Sequence, residues 1–196
     1  MAKSRLQLIF ANKIDFTCKS IKFNLVKWRN VLKKIVICPG SFDPVTLGHL
    51  DIISRASKMF DKVIVAVSVN LAKTPAFTIE ERINMLKKVT ADLPNVEIDG
   101  LTGLLANYAK SKNATALVKG LRAVSDFEYE FQMSLMNKKL NNDLETIFLT
   151  TSSEYMYLSS NIVRQVASLG GDISNFVPAE IYGEIFEKLN RGDKNL

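Results

Sequence analysis

From Lys34 onward, short β-branched runs alternate with stretches whose apolar residues return every three or four positions. That rhythm constrains the fold more than any other feature of the chain. KIVIC (34–38) and KVIVAVSV (62–69) are nearly continuous apolar runs, as expected of strands buried on both faces. VEI (96–98), TALVKG (115–120) and TIFLT (146–150) are shorter strand candidates. Helical spacing fills the gaps. Residues 49–60 place Leu50, Ile53, Ala56 and Phe60 on one side. Residues 80–89 follow Phe77-Thr78, and Thr78 with Glu81 stands at capping-box spacing. Further helices are predicted over 104–112, 127–140 and 161–169, and a last one starts at Pro178, a residue suited to a first turn. Strands alternating with helices imply parallel pairing through right-handed crossovers. The prediction is an α/β, Rossmann-like five-stranded parallel sheet with helices on both faces, plus C-terminal helices. Ligands of such sheets sit beyond the carboxyl ends of the strands. That rule points to residues 39–49, 69–77, 119–126 and 150–161.

Composition narrows the function classes. A chain of 196 residues, 47% apolar and 23% charged, suits one globular domain. No apolar run approaches the ~18 residues of a transmembrane helix. The only cysteines, Cys18 and Cys38, form no CxxC pair, and there is one histidine, so neither a disulfide framework nor a Cys/His zinc site is expected. The net charge of +6 is unevenly distributed. Residues 1–34 hold nine Lys/Arg against the single acid Asp15, which leaves +8; the other 17 basic and 19 acidic side chains leave −2. A nearly neutral body argues against nucleic acid as a partner. Residues 1–33 therefore read as a basic extension, residues 34–190 as the domain and 191–196 as a tail. The extension fits an unstructured arm, an upstream start, a transit peptide or a surface-binding helix. It lacks the continuous apolar stretch of a secretory signal. Cytoplasmic location is expected, or an organelle if the arm is a transit peptide.

Neither a Walker A pattern nor GxGxxG occurs. The first predicted strand instead runs into PGSFDPVTLGHL, residues 39–50, which holds the only histidine. Gly40 permits close backbone approach to a ligand. Ser41 offers a hydroxyl and an N–H. Gly48 and His49 fall at a helix start, where free N–H groups and the dipole favour anions. The plain alternative is a turn with a satisfied histidine.

Thr46-Leu47-Gly48-His49 matches the T/HxGH signature of the nucleotidyltransferase superfamily. With KTPAFTIEERINML and GLRAVSDFEYEFQMSLMN, the wider stretch PGSFDPVTLGHLDII resembles the bacterial phosphopantetheine adenylyltransferases. The resemblance runs from about residue 34 to 189. Members of that family transfer AMP from ATP to 4'-phosphopantetheine, releasing dephospho-coenzyme A and pyrophosphate. The nucleophile is a phosphate monoester with a second pKa near ~6, so it needs no strong base. The obstacle is repulsion between anions, which calls for cations and oriented N–H groups. Other TxGH enzymes with a nicotinate mononucleotide or glycerol phosphate acceptor, and binding through the basic arm, are the competing readings. A tRNA synthetase is disfavoured, because no KMSKS-like loop is present.

The resemblance implies that His49 steadies the α-phosphate in the transition state. It implies that Ser41 and Phe42 meet ATP, with Ser41 between the two substrates in place of the usual Thr. Lys73 would bind phosphate and help stabilise the transition state, though Thr74 replaces a second basic residue; otherwise Lys73 is a solvated loop lysine. Arg122 would contact the ATP phosphates, with Gly120 and Leu121 supplying backbone near the nucleotide. Arg122 alternatively pairs with Asp126 or Glu128. Glu130 would stand near ATP, or is a solvated helix acid. Tyr155, Met156, Tyr157, Leu158, Ser159, Ser160 and Asn161 would surround the nucleotide, and the two serines could simply cap a helix. Asn161 replaces the usual Ser or Thr. Lys119 would bind phosphopantetheine where relatives carry Arg, without the two-pronged contact. Leu105 would line the pantetheine arm or the core. Phe127, Phe131, Leu135 and Met136 form a stripe that reads as core or, since relatives are hexamers, as a subunit contact. Mg2+ is expected bound with ATP, with no dedicated protein metal site.

Overall fold

The computed structural model describes residues 34–68 and 74–190. The extension 1–33, residues 69–73 with Lys73, and the tail 191–196 lie outside the described residues. Among the described residues are five strands: β1 (Ile35–Gly40), β2 (Lys62–Ser68), β3 (Val96–Leu101), β4 (Ala116–Leu121) and β5 (Glu145–Thr150). Six α-helices accompany them: α1 (Leu47–Met59), α2 (Ile79–Val89), α3 (Leu105–Ser111), α4 (Val124–Leu140), α5 (Ser160–Ser168) and α6 (Ala179–Asn190). The expected strands and helices all occur, within a few residues of their predicted bounds.

All four strand pairings are parallel, in the order β3-β2-β1-β4-β5. Alternate strand residues face opposite sides, and each side has its own core. Val36, Cys38, Val63, Val65, Val67, Ala116 and Val118 join Ile53 and Ala56 of α1, Met85 and Leu86 of α2, Val163 of α5 and Ile181 and Ile185 of α6. Ile37, Ile64, Ala66 and Leu117 join Ala109 of α3 on the other side. This confirms helices on both faces. Burial pushes the Cys38 thiol up to about 12, against the pull of the Lys119 charge, so it stays a protonated core group.

The capping box predicted before α2 forms. The Thr78 hydroxyl accepts from the Glu81 N–H at 3.2 Å, and the Glu81 carboxylate accepts from the Thr78 N–H at 2.7 Å. The Pro178 carbonyl accepts the first bond of α6, from the Ile181 N–H. Helix α4 begins three residues before its predicted start. Its first turn is organised by Asp126, which accepts from the Arg122 backbone N–H, a contact that apolar spacing does not register. None of the apolar side chains described on α4 is buried; Phe127, Phe131, Leu135 and Met136 are all exposed. The stripe is therefore not part of this chain's core.

Candidate active site

The strand order reverses direction between β1 and β4, and such a switch point leaves a crevice at the carboxyl ends of the two strands. The PGSFDPVTLGHL loop leaves β1 there, and residues 119–126 leave β4 beside it.

His49 is held by its helix. Thr46 is the N-cap of α1, and His49 is the third helical residue. Its backbone N–H donates to the Thr46 hydroxyl at 3.4 Å, while its Nδ1 accepts from the Thr46 backbone N–H at 3.0 Å. This is a capping box with imidazole in the place of Glu or Gln. An Nδ1 that accepts cannot carry the proton, so the neutral ring carries it on Nε2. Burial of the ring, aided by the charge of Arg122, lowers its pKa from 6.5 to about 4. At neutral pH the ring is therefore an uncharged donor. The Phe42 ring lies edge-on to it, with centroids 5.1 Å apart. Phe42 itself has a φ of 49°, and Gly40 makes room for it: a Cβ there would lie 2.9 Å from Phe42 Cζ. Gly40 thus serves Phe42 as well as any ligand.

The loop is fastened from elsewhere in the chain. Arg82, only 2% exposed, donates from Nη1 to the Ser41 carbonyl at 2.7 Å and the Ser68 carbonyl at 3.1 Å. It bridges the ends of β1 and β2. The Asp43 carboxylate accepts from the Ala76 and Phe77 N–H groups and from Arg164. Ser160 donates its hydroxyl to the Pro44 carbonyl at 2.7 Å.

The end of β4 supplies the cations. Arg122 takes the ion-paired alternative: Nε and Nη2 donate to the two oxygens of Asp126 at 2.9 and 3.2 Å, and Nη1 donates to the Leu158 carbonyl at 2.8 Å. The guanidinium is thereby fixed between β4 and the 150s segment, close enough to His49 to affect its charge. Lys119 pairs with Glu130 at 3.2 Å, so neither is a lone solvated group. Gly120 allows α1 to approach, because a Cβ there would lie 2.7 Å from Ile52 Cγ1. Leu121 is half-buried beside it.

The last segment divides by role. Ser159 caps α5, accepting from the Ile162 N–H at 3.2 Å, whereas Ser160 spends its hydroxyl on Pro44. Asn161 accepts from Arg164 through its Oδ1. Met156 and Tyr157 are exposed, Tyr155 is half-buried, and the Leu158 side chain is buried. Leu158 therefore contributes its backbone here, as the acceptor for Arg122. Leu105 packs against the second core.

Asp43, Arg82 and Arg164 hold this site together and were not found by sequence reasoning. Arg82 did leave a signal: it shares the buried face of α2 with Met85 and Leu86. A charge at an apolar register position demands buried acceptors.

Comparison with known proteins agrees with this geometry. The family described as cytidylyltransferase-like matches residues 37–166. The phosphopantetheine adenylyltransferase of Caldanaerobacter subterraneus subsp. tengcongensis is 58% identical over 158 residues, 81% of this chain and 99% of that protein. That of Clostridium tetani is 54% identical over 156 residues, 80% of this chain and 98% of that protein. Among solved structures, a candidate nicotinate-nucleotide adenylyltransferase from Vibrio parahaemolyticus superimposes with a TM-score of 0.62 at 22% identity, covering 82% of this chain and 96% of its own. At that identity the likeness concerns the fold alone. Identity above one half along almost the whole length of the curated relatives, with the Thr46–His49 box at the switch point, places this chain in the phosphopantetheine adenylyltransferase family, within the cytidylyltransferase-like fold.

Proposed function

We propose that the chain transfers the adenylyl group of ATP to 4'-phosphopantetheine in coenzyme A biosynthesis. A phosphate oxygen of the acceptor attacks the α-phosphorus, the bond to the bridging oxygen of the β-phosphate breaks, and pyrophosphate leaves with that oxygen. The product is 3'-dephospho-coenzyme A. The observation that carries this reading is the 58% identity along 99% of a curated relative of that name.

The residues divide the work. The His49 Nε2–H donates to a non-bridging oxygen of the α-phosphate as charge builds there, a task for a positioned neutral donor. Arg122, held by Asp126, sets a fixed positive charge beside it. Ser41, Lys73 and Lys119 bind phosphate and acceptor, Leu105 borders the pantetheine arm, and residues 155–161 with Gly120, Leu121 and Glu130 surround the nucleotide. Mg2+ bound to ATP neutralises phosphate charge. No group of three or more His, Cys, Asp or Glu gathers among the described residues; most of its ligands would be ATP oxygens and water.

The exposed apolar row on α4 supports contact between copies of this chain, and the family resemblance points to a homohexamer; light scattering of the purified chain tests it. No described helix is long and apolar enough to cross a membrane, and the cytoplasm is the proposed location. The deciding experiment measures pyrophosphate release with Mg·ATP and a panel of acceptors: phosphopantetheine, nicotinate mononucleotide and glycerol phosphate. Turnover with phosphopantetheine is expected, and a preference for another acceptor refutes the assignment. Removing residues 1–33 should leave that turnover intact.

A further inference from the structure

We propose that Asp43 and Arg164 are positioning residues for the adenylyl transfer, which rests on the function proposed above. Asp43 is only 7% exposed, and its two oxygens have three donors. Oδ1 accepts from the Phe77 N–H at 2.9 Å. Oδ2 accepts from the Ala76 N–H at 3.0 Å and from Arg164 Nη1 at 2.8 Å. Arg164 Nη2 in turn donates to Asn161 Oδ1 at 2.7 Å, at the start of α5. One carboxylate therefore joins three separate segments: the loop between β1 and α1, the residues entering α2, and α5.

An ion pair drawn largely out of water contributes little net stability over a well-packed apolar substitute, because desolvation offsets its attraction. What it supplies is direction. A guanidinium locked to a carboxylate that is itself locked to two backbone amides fixes α5 against the loop carrying Thr46 and His49. The Ser160–Pro44 bond ties the same two segments a second time. The nucleotide is assigned to the start of α5 and the α-phosphate to His49, so this joint sets how ATP lies relative to its catalytic donor. In-line transfer is sensitive to that alignment at the 1 Å scale. Arg164 acts through Asp43 and Asn161.

The test uses the full chain and its steady-state kinetics with Mg·ATP and phosphopantetheine. Arg164→Gln breaks the joint while leaving Asp43 its two amide donors. It is expected to lower kcat by about 10–100-fold and raise the KM for ATP several-fold, with the acceptor KM held within about twofold. Arg164→Lys keeps the charge and should recover most of that loss. Asp43→Asn should also speed hydrogen exchange at the Ala76 and Phe77 amides, which Arg164→Gln should not. A folded Arg164→Gln with kcat and ATP KM within about twofold of the native chain overturns the proposal, as does an equal rise in both KM values. If Asp43→Asn does not fold, the two Arg164 variants decide alone. A native chain inactive with phosphopantetheine would refute the function instead; ATP binding by calorimetry then reads the joint, and unchanged affinity in Arg164→Gln overturns it.

Discussion

His49 is the only histidine, so its titration can be followed without ambiguity. The folded ring is expected to protonate near pH 4 and the unfolded ring near 6.5. Between those values the unfolded chain binds a proton that the native chain does not. Stability must therefore fall as pH drops from about 6.5 towards 4, by at most about 1.4 kcal/mol per pH unit from this group, and show no slope from it above 6.5. His49→Gln is the matched control. Glutamine at the third helical position can still accept from the Thr46 N–H, so the capping box survives while the titration disappears. Subtracting the variant's urea-derived stability from the native value at each pH cancels the carboxylates common to both. The difference should be flat at high pH and decline on acidification, and the imidazole proton resonance should move with a midpoint near 4. Arg122→Met should raise that midpoint without restoring 6.5, since burial is the larger cause. A midpoint at or above 6.5, or a flat difference throughout, would refute both the neutral ring and the role drawn from it.

Other consequences are equally direct. Arg82→Met orphans the Ser41 and Ser68 carbonyls, at a cost of about 1–3 kcal/mol each, read from denaturant unfolding. Gly120→Ala places a Cβ against Ile52 and should lose about 1–3 kcal/mol; the loss should shrink in an Ile52→Ala background, as a double-mutant cycle would show. Lys119→Arg retains a cation opposite Glu130 and adds a planar fork, so phosphopantetheine KM should hold or fall; a collapse in turnover would show that the acceptor pocket has diverged.

The alternation of β-branched runs with helical spacing was enough to establish strand and helix identity, because periodicity is a local property of neighbouring residues. The Thr78–Glu81 box was legible for the same reason, three residues apart. The place of His49 near a strand end was legible too, and the resemblance supplied its chemistry. The tautomer of that ring, the strand order and the switch point were not. Arg122 shows the limit clearly: a salt bridge to Asp126 is visible at helical spacing, but the bond to the Leu158 carbonyl, 36 positions away, is not. Arg82 meets Ser41 across 41 positions and Arg164 meets Asp43 across 121. A buried charge takes whatever partner packing brings within 3 Å, and that choice is made only once distant segments are layered on the sheet. Sequence alone therefore determined the elements and which residue types could handle phosphate. Tertiary structure decided which of them are held in place, and by what.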